Sequence, residues 1–194
     1  MRTLTSVEIA IAICGWVLFL SVFIIRPKRI RRAWIGGDRR SLVGMALQMV
    51  AVGVVRGGVR PAGVGLAPGG LGVGLGTCVL AAGLMAVSIW LACAAVTALG
   101  EQWSLAARLI EGHELITSGP YALVRHPIYT AMLGMIVGSA LAVSRWQDLV
   151  PAVAVFLLGT ALRVHSEERL LAAEFGEAYR AYAHAVPALI PRAA

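Results

Sequence analysis

Two short polar runs in an otherwise apolar chain hold the residue types from which a reactive site can be built. The first is Gly119-Pro120-Tyr121-Ala122-Leu123-Val124-Arg125-His126-Pro127-Ile128-Tyr129, which opens directly into an apolar segment. The second, Arg163 to Glu168, closes the next apolar segment and contains Arg163, Glu167 and Glu168. Ionisable groups at a membrane span are costly, so they concentrate where binding or proton chemistry needs them. Pro127 suits the first turn of a helix, where its missing N–H has no partner to lose. A helix start there turns free N–H groups and a partial positive charge outward, reinforced by Arg125 and His126, and can receive a small anion such as a carboxylate. Arg163 and Glu167, four apart, share one helix face. The bland role for that pair is a mutual ion bridge. The functional role is that Arg163 grips an anionic substrate group while Glu167 faces a cation.

The elements that must position these residues are apolar spans. The chain has 194 residues, 59% of them hydrophobic and 14% charged, with mean hydropathy +0.80. A soluble domain carries roughly 25% charged residues, so this is an integral membrane protein. Five apolar segments are legible: Val7–Ile25, about Ser41–Val55 (extending toward Val59 with Arg56 snorkelling), about Leu71–Leu99, Pro127–Val143 and Leu149–Val164. A bilayer core needs about 20 apolar residues, which leaves the second and fifth short. A tight turn over Ser144–Asp148 makes the last two a helical hairpin. The tail from His165 to His184 spaces Leu170, Leu171, Phe175, Ala178, Tyr179 and Tyr182 as a helix, with Gly176 interrupting it and Pro187 and Pro191 ending it. Residues 1–99 are then three spans and residues 100–194 a unit of loop, hairpin and C-terminal helix.

Charge sets the expected orientation. With the loop from Arg26 to Arg40 in the cytoplasm, thirteen of the seventeen Lys and Arg residues fall on that side, leaving Arg2, Arg56, Arg60 and Arg145 outside. Positive residues favour the inner face. The N-terminus is therefore placed outside, and the C-terminus and both polar runs in the cytoplasm, with a cell inner membrane as the expected location. Val7–Ile25 is followed, not preceded, by strong positive charge, so it reads as a retained first span.

Other functions are disfavoured. The net charge of +7 comes from residues flanking spans, so no nucleic-acid partner is expected. His113, His126, His165 and His184 show no ligand spacing, and no metal is expected. Cys14, Cys78 and Cys93 lie in apolar segments as small hydrophobes. The glycine-rich Gly63–Gly76 lacks the strand that a dinucleotide fingerprint requires and reads as close helix packing or a loop.

The combination Gly119-Pro120-Tyr121, Arg125-His126-Pro127-x-Tyr129, Arg163, Glu167-Glu168, Leu171, Phe175-Gly176, Tyr179 and Tyr182 resembles the isoprenylcysteine carboxyl methyltransferase family, over about His113 to Pro191. The resemblance implies an all-α membrane enzyme of about five transmembrane helices, with a C-terminal helical hairpin, a cytoplasmic cofactor pocket and no Rossmann domain. It implies S-adenosylmethionine as cofactor and a lipophilic or prenylated substrate entering from among the membrane lipids. His113, Glu114, Leu115, Ile116, Tyr121, Arg125, His126, Pro127, Ile128, Tyr129 and Glu167 would form the cofactor site, and Arg163 would orient the substrate carboxylate. Two departures stand out: Ala188 occupies the place of a tail Arg, and no upstream Gln is evident, Ala106 lying near that point. The rival readings are a phospholipid N-methyltransferase, which shares these motifs, and an NADPH-dependent reductase of the sterol-reductase type.

Overall fold

The computed structural model describes residues 2–25, 34–37, 40–57, 75–105, 108–110, 112–143 and 146–192. Most of the basic first loop, residues 63–74 of the glycine-rich stretch with 58–62 before it, Ala106 and residues 144–145 of the turn lie outside the described residues. The helices are α1 (Arg2–Ile25), α2 (Arg40–Gly57), α3 (Leu75–Leu99), α4 (Pro127–Val143), α5 (Trp146–Phe175) and α6 (Glu177–Ala185). The molecule is an all-α membrane protein, as its hydropathy predicts. Val7–Ile25, Gly76–Gln102 and Asp148–Phe175 are long and apolar enough to cross a bilayer, while Arg40–Val55 and Pro127–Val143 are shorter.

Three features depart from the sequence reading. First, the fifth segment does not end at Val164. It continues as one helix to Phe175, because the three-to-four spacing of apolar residues runs unbroken from span into tail. Second, two short strands, β1 (Trp34–Gly37) and β2 (Arg108–Ile110), pair antiparallel as a two-stranded ribbon. Three or four residues of such a ribbon, in loops, give too short a pattern for alternation to register. Third, the last two spans are not the tightest pair. The broad helix contacts are α2 on α5 and α3 on α4, with α4 and α5 touching over less of their length.

Small residues explain that pairing. A Cβ on Gly44 would lie 2.5 Å from the Gly159 carbonyl oxygen and 2.6 Å from Cγ of Arg163. A Cβ on Gly159 would lie 2.6 Å from the Gly44 carbonyl oxygen. On the other side, Gly134 and Gly138 press on Ser88 and Met85 of α3. Close backbone approach through small residues is how helices associate in lipid, where apolar burial alone gives little preference.

α4 is the central helix. One side joins Ile136 and Ala140 to Ala51, Val55, Ala152 and Phe156. The other joins Ala131 and Met135 to Phe19, Met85 and Ala92. The outer surface is apolar too, with Val17, Ile24, Val79, Trp90 and Val150 each more than 60% exposed, as befits a lipid-facing wall. At the far end Gly176 takes φ +53, a conformation that glycine adopts without strain. The chain turns there, and α6 folds back to bury Tyr179.

Candidate active site

The two polar runs meet. Pro127 is fully buried at the first position of α4, so the residues on either side of it are fixed against the helix end. Tyr129 is carried one turn into α4. Arg163, Glu167 and Glu168 project from the middle of the long α5. The Tyr129 hydroxyl accepts from Nε of Arg163 at 2.7 Å and donates to Oε1 of Glu167. The Arg163 guanidinium lies 5.2 Å from the Tyr129 ring centre, and its Nη2 donates to the Leu105 carbonyl at 2.6 Å. His126 stands between both carboxylates, with Nδ1 3.4 Å from Glu167 and Nε2 3.1 Å from Glu168. Arg163, His126 and Tyr129 are each no more than 7% exposed.

The electrostatics follow from this crowding. Burial pushes His126 toward its neutral form, but hydrogen bonds and charge from Glu167 and Glu168 prevail and raise its pKa above the ordinary value. His113 goes the other way: burial lowers its pKa, and Glu174 only partly opposes that. Burial, with Glu167 and Tyr182 adding to it, raises the pKa of Tyr121, so its hydroxyl stays protonated. The half-buried Tyr182 is pushed up to about 12, burial outweighing the nearby Arg125, and its hydroxyl donates to the Tyr121 carbonyl at 2.7 Å.

Arg125 ties three pieces of chain together. Its Nε and Nη2 donate to Oε1 of Glu168 at 2.9 and 2.7 Å. Its Nη1 donates to the carbonyls of Ala183 and Val186 at 2.7 and 2.5 Å. The tail then runs across the start of α4. The backbone N–H of Arg125 donates to Pro187 and that of His126 to Ala188, while Thr130 Oγ1 donates to the Leu189 carbonyl. This corrects one expectation. The N–H groups just before α4 are not free for a substrate anion, because the tail carbonyls already take them.

A cavity of about 800 Å³ begins at this cluster and continues among the helices. Its polar end is walled by Gln102, His113, Glu114, Leu115, Ile116, Tyr121, Arg125, His126, Ile128, Tyr129, Arg163 and Glu167. The rest of its wall is apolar and comes mainly from α1, α2 and α4, among them Ile9, Ile13, Met45, Met49, Val52, Met132 and Ile136, and this is its apolar arm. Of the residues that sequence places at the site, only Pro127 is absent from this wall; its place is beneath the site, at the start of α4. Glu168 is also off the wall and joins His126 to Arg125 from behind.

Sequence reasoning missed several wall residues. Gln102 lies four positions before the point where an upstream Gln was sought, and its Oε1 accepts from the backbone N–H of Glu114 at 2.7 Å. It was findable as a polar residue at the end of a span. The contributions of α1 and α2 had no local signal, since apolar spans look alike whether they face lipid or a cavity.

The polar end fits S-adenosylmethionine. His113 Nδ1 is buried with no hydrogen-bond partner among the described residues. Were S-adenosylmethionine bound, Glu167 would supply negative charge for its sulfonium, and Leu115 and Ile116 would supply apolar contact for its nucleoside.

A family model described as phospholipid methyltransferase matches residues 77–178, more than half of the chain. The chain belongs to this family. The match runs from α3 to the start of α6 and so contains both polar runs, Gln102 and the 113–116 loop. Within it, the motif resemblance to isoprenylcysteine methyltransferases is borne out by two relatives. Protein-S-isoprenylcysteine O-methyltransferase of Schizosaccharomyces pombe is 28% identical over 57% of this chain and 48% of that protein. Protein-S-isoprenylcysteine O-methyltransferase B of Arabidopsis thaliana is 33% identical over 42% of this chain and 41% of that protein. The cobalt-zinc-cadmium resistance protein CzcN of Cupriavidus metallidurans is 39% identical over 42% of this chain and 38% of that protein. The matched stretch thus covers less than half of each relative's length.

Proposed function

We propose that this family member is a membrane methyltransferase that moves a methyl group from S-adenosylmethionine to the carboxylate of a lipophilic acid such as a prenylated cysteine. The observation that carries the reading is that one cavity is lined both by the Arg163–Tyr129–Glu167 cluster and by apolar residues of α1, α2 and α4. A water-soluble donor and a membrane-dissolved acceptor need such a shape, polar at one end and greasy at the other.

When bound, S-adenosylmethionine supplies an activated methyl on a positively charged sulfur. The protein's contribution is alignment and charge. Arg163 holds the acceptor carboxylate, and Tyr129 fixes the plane of its guanidinium. Glu167 faces the cationic donor, held in place by Tyr129 and His126. Holding two reactants in line accounts for up to about 7–11 kcal/mol of barrier reduction. A carboxylate is ionised at neutral pH, so no general base is needed.

The charge balance favours an acid over an amine as acceptor. Arg163, 6% exposed and in the cavity wall, is a buried cation that an acceptor carboxylate would neutralise and a protonated amine would not. The arginine asymmetry of the sequence supports placing this end at the cytoplasmic face.

The test is purified protein in nanodiscs with methyl-labelled S-adenosylmethionine and either N-acetyl-S-farnesylcysteine or phosphatidylethanolamine. Label recovered as base-labile methyl ester supports the reading. Base-stable label on the lipid amine replaces it with phospholipid N-methylation. Binding of NADPH with no affinity for S-adenosylhomocysteine overturns methyl transfer altogether.

A further inference from the structure

Six residues of α4 line the cavity: Ile128, Tyr129, Met132, Ile136, Ser139 and Val143. Steps of one, three and four put them on one helix face, from the first turn of α4 to its last residue. The cavity therefore runs the length of that helix, with its charged end at Tyr129 and Arg163. α1 and α2 supply its other apolar walls. α1 packs broadly on α3 and α4 but makes no broad contact with α2 among the described residues.

Trp16 crosses between them. Its side chain packs on the cluster around Phe19, Met85 and Met135 and also on the cluster around Val55, Ile136 and Phe156. Among the described residues it is the one member of α1 that reaches the second cluster. Two contacts fix the ring. Nε1 donates to Ser139 Oγ at 2.8 Å, and Phe19 meets the indole edge-on with ring centres 5.7 Å apart. Ser139 is itself held, because its Oγ donates to the Met135 carbonyl. A buried indole N–H keeps its partner, so the ring stays in the cavity wall at the level of Ser139.

That level measures a length. Ser139 lies ten residues beyond Tyr129, about 15 Å along α4. An extended chain advances about 1.2 Å per bond, so about a dozen bonds lead from the carboxylate grip to the indole. Phe19 packs with Ala131 and Met135 while Trp16 reaches Ser139, so α1 runs antiparallel to α4. Ile13, Ile9 and Val143 therefore continue the wall on the far side of the ring.

We propose that Trp16, braced by Ser139, sets the length of tail that the acceptor can carry: the site takes tails up to a farnesyl group and disfavours geranylgeranyl. One isoprene unit more must swing the indole off Ser139 or double back on itself, and overpacking a filled site is costly. In a bilayer the tail is already out of water, so added length brings no hydrophobic gain to offset that cost. This proposal rests on the carboxylate reading of the same site and adds the size of its tail.

The experiment measures methyl ester formation from N-acetyl-S-geranylcysteine and its farnesyl and geranylgeranyl counterparts, with this chain in nanodiscs and the three at equal mole fraction in the lipid. Wild type is expected to use the farnesyl compound about tenfold better in kcat/KM than the geranylgeranyl one, the value of one buried hydrogen bond. In Trp16→Leu that ratio should fall to near one, while the geranyl compound, which ends short of the ring, is used as before. Ser139→Ala keeps the ring but frees its N–H, and should lower the ratio in the same direction. A merely structural role for Trp16 would depress all three rates together and leave the ratio alone. Equal or better use of the geranylgeranyl compound by wild type, or an unchanged ratio in a folded Trp16→Leu, overturns the proposal and leaves the carboxylate reading intact. The wild-type comparison stands even if neither variant folds. Label on phosphatidylethanolamine with no ester from any of the three overturns both.

Discussion

Arg163 and Glu167 sit one turn apart on α5, yet they do not pair closely with each other: Nη2 and Oε1 are 3.8 Å apart. The Tyr129 hydroxyl stands between them, accepting from Arg163 Nε at 2.7 Å and donating to Glu167. The i, i+4 spacing that suggested a simple helix ion bridge is used to hold two groups at a set separation on either side of a hydroxyl from α4.

Tyr129→Phe tests that arrangement. It removes one acceptor and one donor without changing ring volume, so Arg163 and Glu167 should collapse toward a direct pair. The expected stability cost is about 1–3 kcal/mol. Methyl transfer should fall by far more than stability does, with kcat reduced at least tenfold in a protein that still unfolds cooperatively. A variant with wild-type kcat would show that the hydroxyl positions nothing.

Arg125→Ala should release the tail. The side chain joins Glu168 to the carbonyls of Ala183 and Val186, and its loss takes two hydrogen bonds from a partly buried carboxylate, which keeps only its His126 contact on that oxygen, and one donor from each of the two carbonyls. A loss of more than about 2 kcal/mol is expected. Hydrogen exchange should rise at Arg125 and His126, whose N–H groups are covered by the tail. Unchanged exchange there would show that the backbone contacts hold without the guanidinium.

His126 makes stability fall as pH rises. Its folded pKa is raised above the ordinary 6.5, burial opposing and the Glu167 and Glu168 contacts prevailing. Its contribution is fully present below about pH 6.5 and is lost as pH climbs through the folded value. His113, shifted down by burial, acts in the opposite sense below pH 6.5. The measurement is therefore the difference in Tm between wild type and His126→Gln from pH 6 to 9. That difference should shrink as pH rises, and a constant difference would exclude the linkage.

Gly44 and Gly53 lie on the same helix and should respond oppositely to alanine. At Gly44 the added Cβ meets the Gly159 carbonyl and the Arg163 side chain. α2 must then move off α5, costing about 1–3 kcal/mol and shifting Arg163. At Gly53 nothing among the described residues lies within 4 Å of the added carbon, and the gain in helix propensity is worth up to about 1 kcal/mol. Thermal unfolding in detergent separates the two, and carboxylate affinity should drop only for Gly44→Ala.

The sequence by itself determined that the chain is a helical membrane protein, where α4 begins and ends, and which polar residues gather near its start. It could do so because span length, a proline at a first turn and three-to-four spacing are local properties, readable within a few helical turns. The break at Gly176 was legible for the same reason. Only the tertiary structure decided that α2 rather than α4 is the close partner of α5, that the tail covers the start of α4, that Tyr129 separates Arg163 from Glu167, and that Gln48 pairs with Thr160. Each of these joins residues far apart in the chain, Arg125 with Val186 or Gln48 with Thr160. Lipid treats all apolar spans alike, so hydropathy cannot rank helix partners. That choice is made by whether glycine lets two backbones come close and whether the buried polar groups then find one another.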